Sequence, residues 1–210
     1  SASAASEIMI GALHPLTGSN AADGQQMANA AKLAVDAVNA AGGISSMGGA
    51  KLVLNSADTQ GSPEVGQSEA TRLIEEGAVA LVGTFQSGTS ANVASVAERN
   101  QVPFVMDVSA LDEILAQGYT YSFRLQPNAS LMGTQGAQAL GAMAKASGTP
   151  LTKVAFMYEQ GNFGGAAGIV EMLVQSWGGA VFLLPALPAE LAQGSLQGVR
   201  VRNAGVLDLQ

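Results

Sequence analysis

The residues of this chain that could do chemistry are few and small. After the apolar run at Val79–Val82 comes Gly83-Thr84-Phe85-Gln86-Ser87-Gly88-Thr89-Ser90, a polar loop expected to lead into a helix from about Ala91. Backbone N–H groups at a helix N-terminus, joined by serine and threonine hydroxyls, suit a carboxylate or another acceptor-rich group. After the next apolar run comes Asp107-Val108-Ser109-Ala110, which puts Ser109 at the same sheet edge. In open α/β sheets the ligand crevice lies beyond the carboxyl ends of the strands. Plain helix capping accounts for some of these hydroxyls, and binding is the reading that accounts for their clustering at two neighbouring strand ends.

Other chemistries find little to build on. His14 is the single histidine and there is no cysteine, so catalytic triads, thiolate zinc and multi-histidine metal sites lack their parts. A lone His beside Pro15 reads as a surface loop residue, with ligand contact after the first strand as the alternative. Glu7, Asp36, Asp58 and Glu75-Glu76 make no acid pair aimed at one cleft. No phosphate-cradling loop with its lysine is present, and Gly161–Gly168 lacks the spacing of a dinucleotide turn. There is no G-x-S-x-G elbow for a hydrolase. No catalytic residue, metal or cofactor is expected.

Positioning such groups requires alternating strands and helices, and the apolar pattern supplies them. Ile8–Leu13 reads as a strand; Met27, Ala31, Ala34, Val35 and Val38 recur at helical spacing before Gly42-Gly43 stops the helix. Lys51–Asn55 reads as a strand, and Ser62-Pro63-Glu64 starts a helix that ends at Gly77. Pro103–Met106 is a fourth strand. Leu131–Ala146 is expected to be helical, Val154–Tyr158 a strand, Phe163–Trp177 a helix and Val181–Leu184 a strand. Such succession implies right-handed βαβ units and a mainly parallel sheet. Tyr119–Pro127 alternates apolar and polar residues and reads as an extended crossover between two lobes, or as an edge strand.

Bulk properties narrow the partners. The chain has 210 residues, 48% hydrophobic and only 12% charged, with net charge -7, a sequence pI of about 4.5 and a mean hydropathy of +0.25. That is enough to bury a core, and it argues against nucleic acid or an anionic membrane surface, both of which call for basic patches. No apolar run approaches the ~20 residues of a membrane helix. Ala2-Ser3-Ala4 has the character of a signal-peptidase site, with a flexible chain end as the other reading.

The sequence resembles type I periplasmic binding proteins of the branched-chain amino acid (Leu/Ile/Val-type) ABC importer family. The likeness rests on Ile10-Gly11 with Leu16-Thr17-Gly18, Ala37–Ile44, Asp58-Thr59-Gln60 with Pro63, and Val82-Gly83 with its hydroxyl-rich loop. Val102–Val105, Tyr121–Arg124 and Tyr158–Gly164 continue it. It implies two α/β lobes joined by a hinge, here 7–122, 123–127 and an incomplete second lobe 128–184, followed by an atypical tail 185–210. It implies an extracytoplasmic receptor that captures an amino-acid-like or carboxylate ligand for an importer's membrane permease. A sensor module of the same fold, or a truncated fragment that does not bind, is the alternative.

Carried over by position, Thr84, Phe85, Gln86, Ser87, Thr89 and Ser90 correspond to the family's carboxylate-binding segment. Val108, Ser109 and Ala110 fall at its next contact, where the family often has a hydroxyl at Ala110. Phe163 falls where the second lobe presents an aromatic, and Asp23 and His14 lie near the first loop. Family members are longer, and their later segment supplies the acid that pairs a ligand's ammonium. A first lobe without its returning strands is expected to expose apolar sheet surface.

Overall fold

Strand β1 (Glu7–His14) sits inside a five-stranded sheet of order β2-β1-β3-β4-β5, all parallel. The computed structural model of the chain describes residues 7–148 and, as backbone, four short strands between 174 and 209. The strands following β1 are β2 (Lys51–Asp58), β3 (Ala80–Gly83), β4 (Phe104–Met106) and β5 (Ser122–Arg124). Helices α1 (Ala21–Ala40), α2 (Pro63–Glu75), α3 (Ser87–Asn100) and the short α4 (Asp112–Ala116) connect them. The alternating pattern thus folds as expected, with α4 an element that the apolar spacing does not announce.

The reasons for the elements are local at their ends and tertiary in their middles. Ser62 caps α2 by accepting the Val65 N–H at 3.3 Å, with Pro63 in the first turn, and Gly77 at φ +103 ends it. Asn39 closes α1 onto β2 like a strand partner. Its amide donates to the Leu52 carbonyl and accepts the Leu52 N–H, both at 2.8 Å. The Glu98 carboxylate accepts the N–H groups of Thr120 and Tyr121 and the Thr120 hydroxyl, tying α3 to the approach to β5.

The core lies between one face of the sheet and α2 with α3. Leu13, Leu73, Leu81, Val93, Val96, Phe104 and Met106 are buried there, and Gly11 leaves room for Leu73 and Leu81, which a Cβ would meet at 3.0 and 2.7 Å. Helix α1 is thinner in its contacts, with only Gly24 and Ala28 buried. Val82 and Val105 are half-buried, while Phe123 and Leu125 at the β5 edge are exposed. The expected apolar exposure is therefore present at this edge.

The chain divides into two units, Ser1–Gln126 and Pro127–Gln210. In the second, α5 (Ala129–Ser147) is capped by Asn128, which accepts the Leu131 N–H at 2.9 Å, and ends at Gly148. Strands β6 (Val174–Trp177) and β7 (Ala180–Leu183) pair antiparallel, as do β8 (Leu196–Val201) and β9 (Gly205–Leu209). This corrects the expected helix at its end, because Val174–Trp177 is a strand. In the sequence Gly178-Gly179 is a hairpin signal. The Val154–Tyr158 strand and Phe163 lie outside the described residues. Tyr119–Pro127 contains the edge strand β5, paired in register with β4.

The packing of α1 on the end of β1 has a testable consequence. A Cβ on Gly24 would lie 2.0 Å from the Pro15 carbonyl oxygen. Gly24→Ala should therefore destabilise the chain by about 1–3 kcal/mol through overpacking, although Ala is favoured over Gly in a helix by about 1 kcal/mol. Denaturant unfolding of the two proteins measures the sign.

Candidate functional site

The strand order reverses between β1 and β3, and both connections leave there in opposite directions. This is the switch point of a doubly wound sheet, where a crevice opens beyond the carboxyl ends. The N-termini of α1 and α3 converge on it. Gln86, preceding α3, donates through Nε2 to Oδ1 of Asn20, preceding α1, at 3.1 Å. No side chain caps either helix at its first residue; the Ala21 N–H of α1 donates to the Gly18 carbonyl at 3.2 Å, which leaves the other first-turn N–H groups to an acceptor.

Helix α3 starts at Ser87, four positions before the expected start. Gly, Ser and Thr are weak helix formers, which is why the pattern suggested a loop. Burial and hydroxyl pairing hold them in the helix. Thr84 Oγ1 lies 2.7 Å from Ser90 Oγ and also donates to the Gln86 carbonyl, so Thr84 and Ser90 stitch the strand-to-helix turn. The Thr89 methyl packs towards Gly66 of α2, and all three residues are fully buried. Ser109 Oγ donates to Ser87 Oγ at 3.3 Å, joining the segment after β4 to the first residue of α3. Ala110 is buried, and Phe85, Gln86 and Val108 are half-buried around this pair. Asp23 lies in the first turn of α1, exposed, and not in a loop.

His14 departs most from its expected place. It is the last residue of β1 and 1% exposed, not a surface loop residue. Its Nε2 donates to Asp107 Oδ2 at 2.8 Å, across the carboxyl end of the intervening β3. Asp107, whose own N–H donates to the Gly83 carbonyl, is the residue that sequence reasoning passed over. The signal available was an acid closing the apolar run Val102–Met106. Arg124 on β5 donates to the Leu111 carbonyl, so the segment carrying Ser109 is held at both ends.

Asp58 fixes the loop between β1 and α1. Its Oδ1 accepts the N–H groups of Leu16, Thr17 and Gln60, and its Oδ2 accepts the Thr17 hydroxyl at 2.6 Å. Burial alone would raise this carboxyl, but the Thr17 hydroxyl and the three N–H groups outweigh it and hold the pKa below the ordinary value. Among the described residues no cluster of three or more potential metal ligands occurs, and no helix is long and apolar enough to cross a membrane.

A family model described as periplasmic binding protein matches residues 7–181. The chain belongs to the periplasmic binding protein family. It is 31% identical over 207 residues to Leu/Ile/Val-binding protein homolog 8 of Brucella abortus, covering 96% of this chain and 50% of that protein. It is 37% identical over 118 residues to Leu/Ile/Val-binding protein BraC3 of Rhizobium johnstonii, covering 56% and 31%. The chain thus spans half the length of the first of these relatives.

Among solved structures, it is similar to the branched-chain amino acid transporter substrate binding protein LivJ of Streptococcus pneumoniae in complex with isoleucine. That likeness has a TM-score of 0.61 and 28% identity over 66% of this chain and 39% of the other. A solute binding protein of Rhodopseudomonas palustris in complex with 3,4-dihydroxybenzoic acid shares the fold at a TM-score of 0.65, with 21% identity over 79% and 43%. The resemblance read from the motifs is therefore confirmed at the level of family and fold.

The lowered pKa of Asp58 sets a pH dependence. A depressed carboxyl contributes stability that is present above its unfolded value near 3.9 and is lost as pH falls through the folded value. Asp58→Ala should lower the melting temperature at pH 7, and the gap from wild type should close as the pH drops below about 4. Thermal melts of both proteins between pH 3 and pH 7 measure it.

Proposed function

We propose that this chain carries the ligand-capturing site of an extracytoplasmic solute-binding protein serving an ABC importer, and that its ligand is a small amino acid or carboxylate. The observation that carries the reading is the convergence of two uncapped helix N-termini, α1 and α3, at the sheet's switch point beside the Ser87–Ser109 hydroxyl pair. A carboxylate placed there meets N–H donors and the positive ends of two helix dipoles. Thr84 and Ser90 are committed to each other, whereas Ser87 only accepts from Ser109 and keeps its own O–H to donate.

The relatives support the class of ligand. Several are named as Leu/Ile/Val-binding proteins, and one structural neighbour holds isoleucine. The wider site includes Phe85, Gln86, Val108 and Ala110 as half-buried or buried lining, with Asp23 at the α1 rim. Capture needs no bond-making step, and the membrane permease of the importer is the partner. The acidic balance of the chain fits this reading and not a nucleic-acid ligand.

Binding stabilises the folded state by mass action, about 2.7 kcal/mol at a hundredfold excess over Kd. Leucine or isoleucine at millimolar concentration should raise the melting temperature of this chain. Replacing Ser87 and Ser109 together by Ala should weaken the ligand about ten- to a hundredfold, the loss expected of a hydrogen bond to a charged group. An unchanged affinity in that double variant places the site elsewhere. A screen in which no amino acid or small carboxylate moves the wild-type melt overturns the reading.

A further inference from the structure

The carboxyl edge of the sheet carries a pair of titratable groups that carboxylate capture leaves unexplained. His14, the single histidine of the chain, closes β1 and is 1% exposed. Its Nε2 donates to Asp107 Oδ2 at 2.8 Å, which puts the hydrogen of the neutral ring on Nε2 and leaves Nδ1 a bare lone pair. Nδ1 is buried and has no hydrogen-bond partner among the described residues, and the same holds for Oδ1 of Asp107. The Asp107 side chain keeps 19% exposure, so the acid is the solvent-side member of the pair.

Their position sets an electrostatic problem. The Asp107 N–H donates to the Gly83 carbonyl at 3.2 Å, and Ser109, two residues on, bonds Ser87 at the start of α3. An anionic Asp107 thus stands at the strand ends assigned to a ligand's carboxylate, and like charges at one site disfavour each other. A proton added at His14 Nδ1 makes the ring cationic and cancels the charge of Asp107. The other titratable groups around the end of β1 are placed differently. Asp58, the register partner of His14 on β2, accepts four hydrogen bonds. Asp23 in the first turn of α1 is exposed, and Glu64 in that of α2 accepts the Ser62 hydroxyl. Strand β3 and the first turn of α3 bring no titratable group. Beyond Ser109, α4 opens on Asp112 and Glu113, and Arg124 of β5 reaches the Leu111 carbonyl. Carboxyl groups ordinarily titrate at about pH 4, whereas imidazole changes charge between roughly pH 5 and pH 8.

We infer that the His14–Asp107 pair is a proton site coupled to ligand capture, in which one proton taken up at Nδ1 tightens the hold on a ligand's carboxylate. The inference rests on the carboxylate site proposed at α3 and names its regulation. With the ring neutral, Asp107 opposes a second anion at the same sheet edge. With the ring protonated, the pair is neutral as a whole and the helix N-termini act on the ligand unopposed. Coupling between two sites is reciprocal, so a bound carboxylate also strengthens the pair's hold on its proton. His14 carries the proton and Asp107 supplies the charge that it cancels, and neither has to touch the ligand. The site loads more readily as the medium acidifies and releases as it turns alkaline.

The test is calorimetric titration of the whole chain with leucine, which keeps both its carboxylate and its ammonium charged from about pH 5.5 to about pH 7.5, where imidazole titrates. Wild type should bind about five- to a hundredfold more tightly at the acid end, the range of ordinary coupling between sites. At about pH 6.5, inside the imidazole range, the binding heat should differ between two buffers of unlike ionisation enthalpy, because capture draws a proton from the buffer. The ring resonances of His14 should titrate at higher pH when leucine is bound. His14→Gln, whose amide can keep the bond to Asp107 but takes no proton, should bind weakly at both ends of the range. Asp107→Asn should bind more tightly than wild type at the alkaline end. A wild-type affinity that stays flat across the range, or a dependence that survives His14→Gln, overturns the inference, and His14–Asp107 is then only a tie between strands. If the double Ser87→Ala and Ser109→Ala variant still weakens leucine in that event, the carboxylate site stands without it. If neither leucine nor another amino acid or small carboxylate binds at either end, the carboxylate site fails, and this inference with it.

Discussion

Strand β1 is hydrogen-bonded on both sides, and most of the architecture follows from that constraint. A parallel strand with neighbours on each flank sends its chain away through a helix on one face, while the next two helices return on the other. The result is a sheet whose order reverses beside β1. At that reversal the loops must splay apart, and the helix N-termini, with their unsatisfied N–H groups, face the gap. The polar crevice is a product of topology before any side chain is chosen.

Side chains then decide which donors remain free. The hydroxyl-rich segment after β3 solves two problems at once. Thr84 and Ser90 satisfy each other inside the turn, so the buried start of α3 carries no orphan at those positions. Ser87 and Ser109 join separate elements, which fixes the distance between the α3 turn and the segment after β4. Asp58 performs the matching task at the β1–α1 loop, where four donors hold one carboxylate. Each of these contacts fixes a loop end at the carboxyl edge of the sheet.

The two faces of the sheet are unequal. The α2–α3 face is closed by large apolar residues with almost no exposure, whereas the other carries α1, whose buried positions are Gly24 and Ala28. Towards β5 that imbalance ends in exposed Phe123 and Leu125. Stability of the first unit therefore rests mainly on the α2–α3 layer. The α1 layer depends on close backbone approach, with Gly24 against the Pro15 carbonyl, and not on large side chains.

Local physics wrote much of this into the sequence. Apolar runs of strand length alternating with helical spacing, the Ser62-Pro63 start and the Gly42-Gly43 and Gly77 stops announce parallel βαβ units, because capping and periodicity act within a few residues. The concentration of small hydroxyls at two strand ends was legible for the same reason. What the pattern could not give was pairing at long separation. The Gln86–Asn20 bond spans 66 positions and the His14–Asp107 bond 93. Only the packed sheet brings such partners together, so it alone buried the histidine, chose its acid and paired the hydroxyls of separate elements. Weak helix propensity at Ser87–Ser90 likewise yielded to burial, which is a property of the whole fold and not of any four residues.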